Sequence, residues 1–214
     1  MDDKPASRKR DSHATRKRIL AAAKKEFAKK GFGGARIDEI ALKSKANKRM
    51  IYHYFGNKEA LFLKTLEDAY ADIRSAEQSL NLTALDPEEA LIKLVKFTWN
   101  YYLKNPEFIT LVNSENLHKG KHLKTSEIIE EISNKFVSMV GTILDKGVAS
   151  GQFRAGIDPV QLNITIAAIG YYYLTNRYTG AIVYQRDLDS KTAYEERLNF
   201  NVETILRLVK IDAH

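Results

Sequence analysis

The 214-residue chain contains no cysteine, so it can form neither a disulfide bond nor a zinc site built on thiolates. It has four prolines and one tryptophan, and no apolar run reaches the roughly 18 residues that a membrane-spanning helix needs. Its N-terminal stretch, MDDKPASRKRDSH, lacks the apolar segment of a signal peptide. We therefore expect no membrane partner and a cytoplasmic protein, whose 44% of hydrophobic residues would form a sizeable core.

The sequence also lacks the short motifs of common enzymes, among them HExxH, GxSxG and the Walker phosphate loop. His118 and His122 are four residues apart and would share a helix face, but the two lysines between them would repel a metal cation. Glu130 and Glu131 are adjacent, so they do not share a helix face as an acid–base pair would. We predict no catalytic residue, no metal site and no cofactor, and interpret the chain as a non-enzyme.

Charge is distributed unevenly along the chain, whose net charge is +7. Residues 1–58 carry 17 basic and 6 acidic side chains, a net charge of +11. Residues 59–214 carry 17 basic and 21 acidic side chains, a net charge of −4. A basic segment joined to a mildly acidic one indicates a polyanionic partner for the first segment alone. A basic surface that merely keeps the chain in solution is the alternative interpretation.

The most informative stretch runs from residue 36 to residue 61 and reads RIDEIALKSKANKRMIYHYFGNKEAL. Apolar residues on one face predict a short first helix, and after a break the N-cap residue Asn47 starts a second one. In the second helix Ile51, Tyr54 and Phe55 are the inward positions. Two short helices joined by a turn of about three residues form a helix-turn-helix, whose second helix enters the major groove of DNA.

This stretch and the residues before it resemble the DNA-binding domain of the tetracycline-repressor (TetR) family. The sequence departs from the family pattern at Arg36, Lys45 and Asn47, where the family usually has threonine or serine, glycine, and serine or threonine. Lys45 would take a conformation that glycine adopts more easily, at a cost of about 1 kcal/mol. The matching positions are Ile19, Ala23, Phe27, Gly31, Phe32, Ile40, Ala41, Tyr52, Phe55, Lys58, Glu59 and Leu61.

The resemblance implies a ligand-responsive transcriptional regulator, most often a repressor, that binds a palindromic operator as a homodimer and is released by a small effector. We expect side chains on the second helix to contact base edges, and residues around it to hold the phosphate backbone. The predicted DNA-binding residues are Arg36, Asn47, Lys48, Arg49, Met50, Tyr52, His53, Tyr54 and Lys58. The base-reading set within them is Lys48, Arg49, Met50 and Tyr52.

The remainder of the chain also reads as helices, so the predicted fold class is all-α with about nine helices. Three Asx–Pro pairs place an N-cap before proline at the first helical position, which predicts helix starts near residues 87, 106 and 159. The predicted segments are a disordered basic arm at 1–11, a helix-turn-helix domain at 12–58, and a helical effector-binding and dimerisation domain at 59–214.

Aromatic and polar residues in the last segment suggest a small-molecule pocket, although aromatic stripes in helical bundles are often plain core. HLKTSEIIEEI and the segment RAGIDPVQLNITIAAIGYYYLTNRYTGAIV resemble the regulatory domain of the pyrimidine-responsive and nicotinate-responsive repressors of the same family. That resemblance implies a small planar effector, aromatic or N-heteroaromatic. It places the effector contacts at Tyr70, Ile73, Trp99, Asn113, Ala167 and Tyr171.

The last two predicted helices carry apolar and small residues at helical spacing, which predicts that two chains associate there as a four-helix bundle. The predicted interface residues are Ile164, Ala168, Leu198, Val202, Ile205, Leu206 and Val209. Two other functions stay open: a helical-bundle enzyme or small-molecule carrier with an incidental basic N-terminus, and a non-specific architectural DNA-binding protein. Binding to a specific duplex in competition with random DNA would separate the three.

Overall fold

A computed structural model describes the backbone of residues 4–211 and the side chains of residues 12–211. The basic arm predicted at residues 1–11 lies outside the described side chains and stays a prediction. The described chain is all-α, as predicted, with one isolated bridge between Phe153 and Lys210. Within this part of the chain, no helix has the length and hydropathy that crossing a lipid bilayer requires.

Nine α-helices follow one another along the described residues. Gly31, at φ 65°, kinks the first helix close to its end. The prolines at positions 87, 106 and 159 each open a helix, as predicted. The helices are α1 (Lys4–Gly34), α2 (Ile37–Ser44), α3 (Lys48–Phe55), α4 (Lys58–Gln78), α5 (Pro87–Lys104), α6 (Pro106–Leu117), α7 (Glu127–Ala149), α8 (Pro159–Val183) and α9 (Lys191–Val209).

The chain divides into two compact units, each described here by itself. The first unit contains the described residues up to Asp72 together with Glu107–Ile129, and the second contains Ile73–Pro106 and the described residues from Glu130 onward. These units do not follow the domain boundary predicted after residue 58, because α6 belongs with the helix-turn-helix. The Phe32 N–H donates a hydrogen bond to the Ser114 hydroxyl at 3.2 Å, which ties α6 to the end of α1.

The first unit is built on apolar faces of α1, α2 and α3, and a buried carboxylate joins the first two of them. Glu26 is fully buried and joins α1 to α2, because it pairs with Lys43 at 2.5 Å and with Lys30 at 3.0 Å. The hydrogen bond from Lys43 lowers the pKa of Glu26, although burial opposes it. The buried apolar residues of these three helices include Ile19, Ala23, Phe27, Ile37, Ile40, Ala41, Ile51 and Phe55.

The second unit has its own hydrophobic core, drawn from α5, α7, α8 and α9. Phe153, which follows α7, packs so closely on Gly147 that an added Cβ there would lie 1.9 Å from its Cδ2. A buried ion pair joins Arg74 and Glu77 at 2.5 Å, yet burial raises the pKa of Glu77 to about 7. The core residues include Leu91, Leu94, Val95, Val140, Ile143, Leu162, Ile166, Ile205 and Val209.

Candidate functional site

The turn between α2 and α3 is held by backbone hydrogen bonds and one side-chain cap. Lys45 adopts the left-handed conformation (φ 53°, ψ 36°), and the Ala46 N–H donates to the Ala41 carbonyl at 3.0 Å. Asn47 caps α3 as predicted, because its Oδ1 accepts a hydrogen bond from the Met50 N–H at 2.8 Å. These contacts fix the direction in which α3 leaves α2.

Helix α3 buries one face and exposes the other. Ile51 and Phe55 are buried, as predicted, whereas Tyr54 is only half-buried, with its ring 5.4 Å from that of His53. The helix reads KRMIYHYF, so it exposes cations and hydrogen-bond donors but no carboxylate of its own. That combination suits a polyanion. The exposed predicted residues here are Asn47, Lys48, Arg49, Tyr52 and His53, and Met50 is half-buried.

Arg36 and Lys58 flank the two short helices. Arg36 is exposed and extended before α2, and its side chain makes no capping hydrogen bond. The ammonium of Lys58 lies 5.0 Å from the centroid of the Phe32 ring and 3.4 Å from the Gly33 carbonyl oxygen. Burial against these groups lowers the pKa of Lys58. All nine predicted DNA-binding residues therefore reach the surface of the first unit at least in part, and their roles stay predictions.

The first unit also contains a buried polar cluster that the sequence analysis missed. Glu115 accepts hydrogen bonds from the backbone N–H groups of His122 and Leu123 at 2.8 and 3.2 Å. Its second carboxylate oxygen lies 2.6 Å from His122 Nδ1. The His122 ring packs on Phe32 and Phe62, with centroids 4.8 and 5.0 Å away. Because the cluster spans a turn rather than one helix, helical periodicity gave no signal for it.

The two histidines weighed as metal ligands serve this packing. His118 Nδ1 lies 2.7 Å from the Ser114 carbonyl oxygen, and its ring meets the Phe32 ring edge-on at 5.4 Å. Across the residues that the structure describes, no three His, Asp or Glu side chains are grouped as metal ligands would be. These histidines therefore help to join the turn after α6 to the end of α1.

The six predicted effector contacts are divided between the units: Tyr70 and Asn113 belong to the first, and Ile73, Trp99, Ala167 and Tyr171 to the second. In the second unit, Trp99 is buried beside Tyr173 and Tyr194, with ring centroids 5.6 and 5.9 Å away. Their part in effector binding stays a prediction.

A cleft of about 780 Å³ opens between the second half of α8 and the first half of α9. Its walls include Tyr173, Arg197 and Phe200. The Arg197 guanidinium lies 5.3 Å from the centroid of each of these two rings and donates to the Ile169 carbonyl at 3.0 Å. Burial lowers the pKa of Arg197 and raises that of Tyr173. The cleft thus has aromatic rings on both helices and a partly desolvated cation between them.

The surface around this cleft corrects part of the predicted dimer interface. Ile205 and Val209 are fully buried in the core of the second unit, so they cannot face a partner chain. Their apolar stripe is the side of α9 that packs on its own unit. Val202 and Leu206 line a separate groove, and Leu198 is half-buried. Ile164 and Ala168, which also belong to the predicted set, are exposed on α8. Further exposed apolar residues of α8 and α9 include Tyr172, Tyr178, Ile182, Val183 and Phe200.

Two family profiles match this chain, one near its N-terminus and one over most of the rest of it. The sequence profile of bacterial regulatory proteins of the tetR family matches residues 19–65, and that of the tetracyclin repressor-like C-terminal domain matches residues 87–205. The HTH-type transcriptional repressor NicS of Pseudomonas putida is 41% identical over 204 residues, which is 95% of this chain and 96% of NicS.

Two solved structures share the fold. A TetR family transcription regulator from Marinobacter aquaeolei has a TM-score of 0.72 and 19% sequence identity, covering 96% of this chain and 100% of that one. The regulator FadR of Bacillus subtilis, solved in complex with stearoyl-CoA, has a TM-score of 0.65 and 18% identity, covering 88% of this chain and 96% of its own.

Proposed function

Because the chain belongs to the tetracycline-repressor family and is a ligand-responsive transcriptional repressor, we propose that it acts as a homodimer on a palindromic operator. Helix α3 of each copy enters a major groove, and a small planar effector releases the DNA. The observation that carries this proposal is the exposed face of α3, which presents donors and cations on a platform fixed by the Lys45 turn and the Asn47 cap.

The two kinds of DNA contact come from different parts of this platform. Arg49 lies in the first turn of α3, the part of a recognition helix that contacts base edges, and a guanidinium can donate two hydrogen bonds to guanine. Lys58 lies outside α3 at the start of α4 and supplies a point charge for a phosphate. Arg49 therefore contributes to sequence preference, and Lys58 contributes to affinity for any duplex.

Two substitutions test this division of roles. The full-length protein selects a duplex from a random pool, and its affinity for that duplex and for a shuffled one is measured by fluorescence anisotropy across a salt series. Lys58→Ala should weaken both duplexes alike and reduce the salt slope by about one. Arg49→Ala should weaken the selected duplex by about 1–3 kcal/mol more than the shuffled one. Equal losses on both duplexes in Arg49→Ala would overturn its base-reading role.

The homodimer is supported by the exposed apolar surface of α8 and α9. Ile164 and Tyr172 on α8 and Phe200 on α9 are each more than half exposed. Large apolar patches on a protein surface commonly mark interfaces with other proteins. Two such helix pairs would form a four-helix bundle between copies. Dimerisation also suits the DNA, because two recognition helices must lie about 34 Å apart to enter successive major grooves.

The effector is proposed to be planar and aromatic or N-heteroaromatic, because the segment HLKTSEIIEEI and the segment that begins RAGIDPV resemble the regulatory domain of pyrimidine-responsive and nicotinate-responsive repressors. Trp99 offers a direct readout, because it is the sole tryptophan and is buried beside Tyr173 and Tyr194. Nicotinate, benzoate and uracil would each be titrated while tryptophan fluorescence and operator release are followed. A planar probe that changes both at the same concentration supports the proposal, and release by none of the three contradicts this effector class.

A further inference from the structure

An acidic side chain on α2 is paired with the first residue of the recognition helix. The Lys48 ammonium lies 2.6 Å from Asp38 Oδ1, and both side chains are about half exposed. The Lys45 turn and the Asn47 cap fix α3 relative to α2, so the backbones of Asp38 and Lys48 keep their positions relative to each other. The predicted base-reading lysine is therefore already ion-paired before DNA arrives.

Asp38 differs from the other carboxylates of this region. Between residues 12 and 58 the sequence has three: Glu26, Asp38 and Glu39. Glu26 is buried and paired with two lysines, and the charge of Glu39 acts on Lys43. Asp38 alone among these three pairs with a residue of α3. A negative charge at that position repels phosphates within a Debye length of about 10 Å.

We infer that Asp38 is a specificity-determining residue, which positions Lys48 and keeps it from binding phosphates indiscriminately. On random DNA, Lys48 can bind a phosphate only if its ion pair with Asp38 breaks. The Asp38 carboxylate is then left unpaired next to the negatively charged DNA. On the operator, a base acceptor offers Lys48 a directed hydrogen bond in exchange. A residue raises specificity by penalising wrong partners as well as by favouring the right one. This inference rests on the proposed base contact of Lys48.

The substitution Asp38→Asn keeps the shape of the side chain and removes its charge. Lys48 is then free to bind phosphates, so affinity for a shuffled duplex should rise about threefold to tenfold, with a salt slope steeper by about one. Affinity for the selected operator should change less. There, the gain in phosphate binding is offset because Asp38 no longer positions Lys48 for its hydrogen bond to the base. The ratio of operator to shuffled affinity should therefore fall.

The experiment measures anisotropy with the full-length protein on both duplexes between about 50 and 200 mM salt, the range in which phosphate contacts dominate the change. Glu39→Gln is the matched control, because it removes the same charge one residue away without touching the ion pair. Lys48→Met and the double variant Asp38→Asn/Lys48→Met complete a cycle. If Asp38 acts through Lys48, its substitution should change little once Lys48 is methionine.

Three results would overturn the inference: an unchanged affinity ratio in Asp38→Asn, the same change in Glu39→Gln, or an equal effect of Asp38→Asn in the Lys48→Met background. A lowered melting temperature with equal loss on both duplexes would indicate a structural role instead. A wild-type protein that fails to discriminate the two duplexes would contradict the proposed function as well. Discrimination by the wild type together with an unchanged ratio in Asp38→Asn would contradict this inference alone.

Discussion

The first unit exposes charge along α3, whereas the second exposes apolar side chains along α8 and α9. On α3 the cations Lys48 and Arg49 lie in solvent on a helix that contains no carboxylate. On α8 and α9, Tyr172, Val183 and Phe200 are more than half exposed around an aromatic cleft. Clustered cations attract a polyanion, and a large exposed apolar surface commonly marks a protein interface. Each surface therefore indicates a different kind of partner: a polyanion for the first and a second apolar surface for the second.

Glu26 in the first unit and Glu77 in the second are both buried, but their pKa values shift in opposite directions. Glu26 in the first unit is buried among lysines that lower its pKa, so it stays ionised. Glu77 in the second unit is paired with Arg74, but burial outweighs that partner and raises the pKa of Glu77 to about 7. The first unit thus stabilises the charged form at Glu26, whereas the second disfavours it at Glu77. The comparison can be tested at several positions.

The largest expected effect concerns the apolar surface. Tyr172→Asp together with Phe200→Asp places two charges on it, so the protein should become monomeric in sedimentation. Operator affinity should fall about a hundredfold or more, because one chain then binds one half-site without the gain from linked binding. Leu117→Asp is the control, because Leu117 is an exposed leucine of the first unit. A dimer that survives the double change would place the interface elsewhere.

The buried glutamates Glu26 and Glu77 should give opposite pH dependence. Glu77 has a folded pKa of about 7 against an ordinary 4.5, so its contribution to stability is present below pH 4.5 and is lost as the pH rises through 7. That loss amounts to at most about 3 kcal/mol. The lowered pKa of Glu26 makes its contribution present above pH 4.5 and lost as the pH falls.

Urea unfolding from pH 4 to pH 8 measures this contrast, with amide exchange reporting each unit separately. Glu77→Gln should remove the decrease in stability that the second unit shows as the pH rises toward neutral. Glu26→Gln should reduce the loss of stability that the first unit shows as the pH falls. The same slope in wild type and Glu77→Gln would mean that Glu77 is ionised in the folded protein.

One added methyl group should destabilise the hydrophobic core of the second unit without affecting the core of the first. Gly147→Ala places a Cβ against the Phe153 ring at a distance no packing allows, so it should destabilise the second unit by about 1–3 kcal/mol and leave exchange in the first unit unchanged. Gly141→Ala on the same helix is the control, because its nearest neighbour is the Pro159 ring at 3.9 Å. It should be neutral or stabilise α7 by up to about 1 kcal/mol. Equal effects of the two changes would refute the Phe153 contact.

The smallest effect is expected at the cap of α3. Asn47→Ala removes the oxygen that accepts from the Met50 N–H, at a cost of about 1 kcal/mol, whereas Asn47→Gly should cost only a few tenths. Thermal unfolding and amide exchange in α3 measure both variants. A larger loss of operator affinity than of stability would give the Asn47 amide a direct role on DNA.

Sequence reasoning worked where a local rule decides the structure. The caps at Asn47 and Asp158, the left-handed Lys45 and the helix starts at proline all depend on neighbouring residues, and all appear as predicted. The all-α fold follows from the same local patterns.

The same reasoning failed where a tertiary neighbour decides. The spacing of Ile205 and Val209 marks an apolar stripe but does not say whether the stripe packs on its own core or on a partner. Exposure in the folded unit was needed to show that Phe200, on another side of α9, faces out. Likewise, Ser114 accepts a hydrogen bond from the Phe32 N–H, and the His122 ring packs on Phe32 and Phe62, so both join the first unit through residues far away in the sequence.

The central claim is that the two surfaces are used together, with α3 on the DNA and the face of α8 and α9 between two chains. Sedimentation equilibrium of the full-length protein on its selected duplex tests this directly, because it counts chains per DNA. The account predicts an even number of chains, with two protected half-sites centred about 34 Å apart, and loss of that complex in Tyr172→Asp/Phe200→Asp. A single chain bound at full affinity, or an unchanged complex in the double variant, would contradict it.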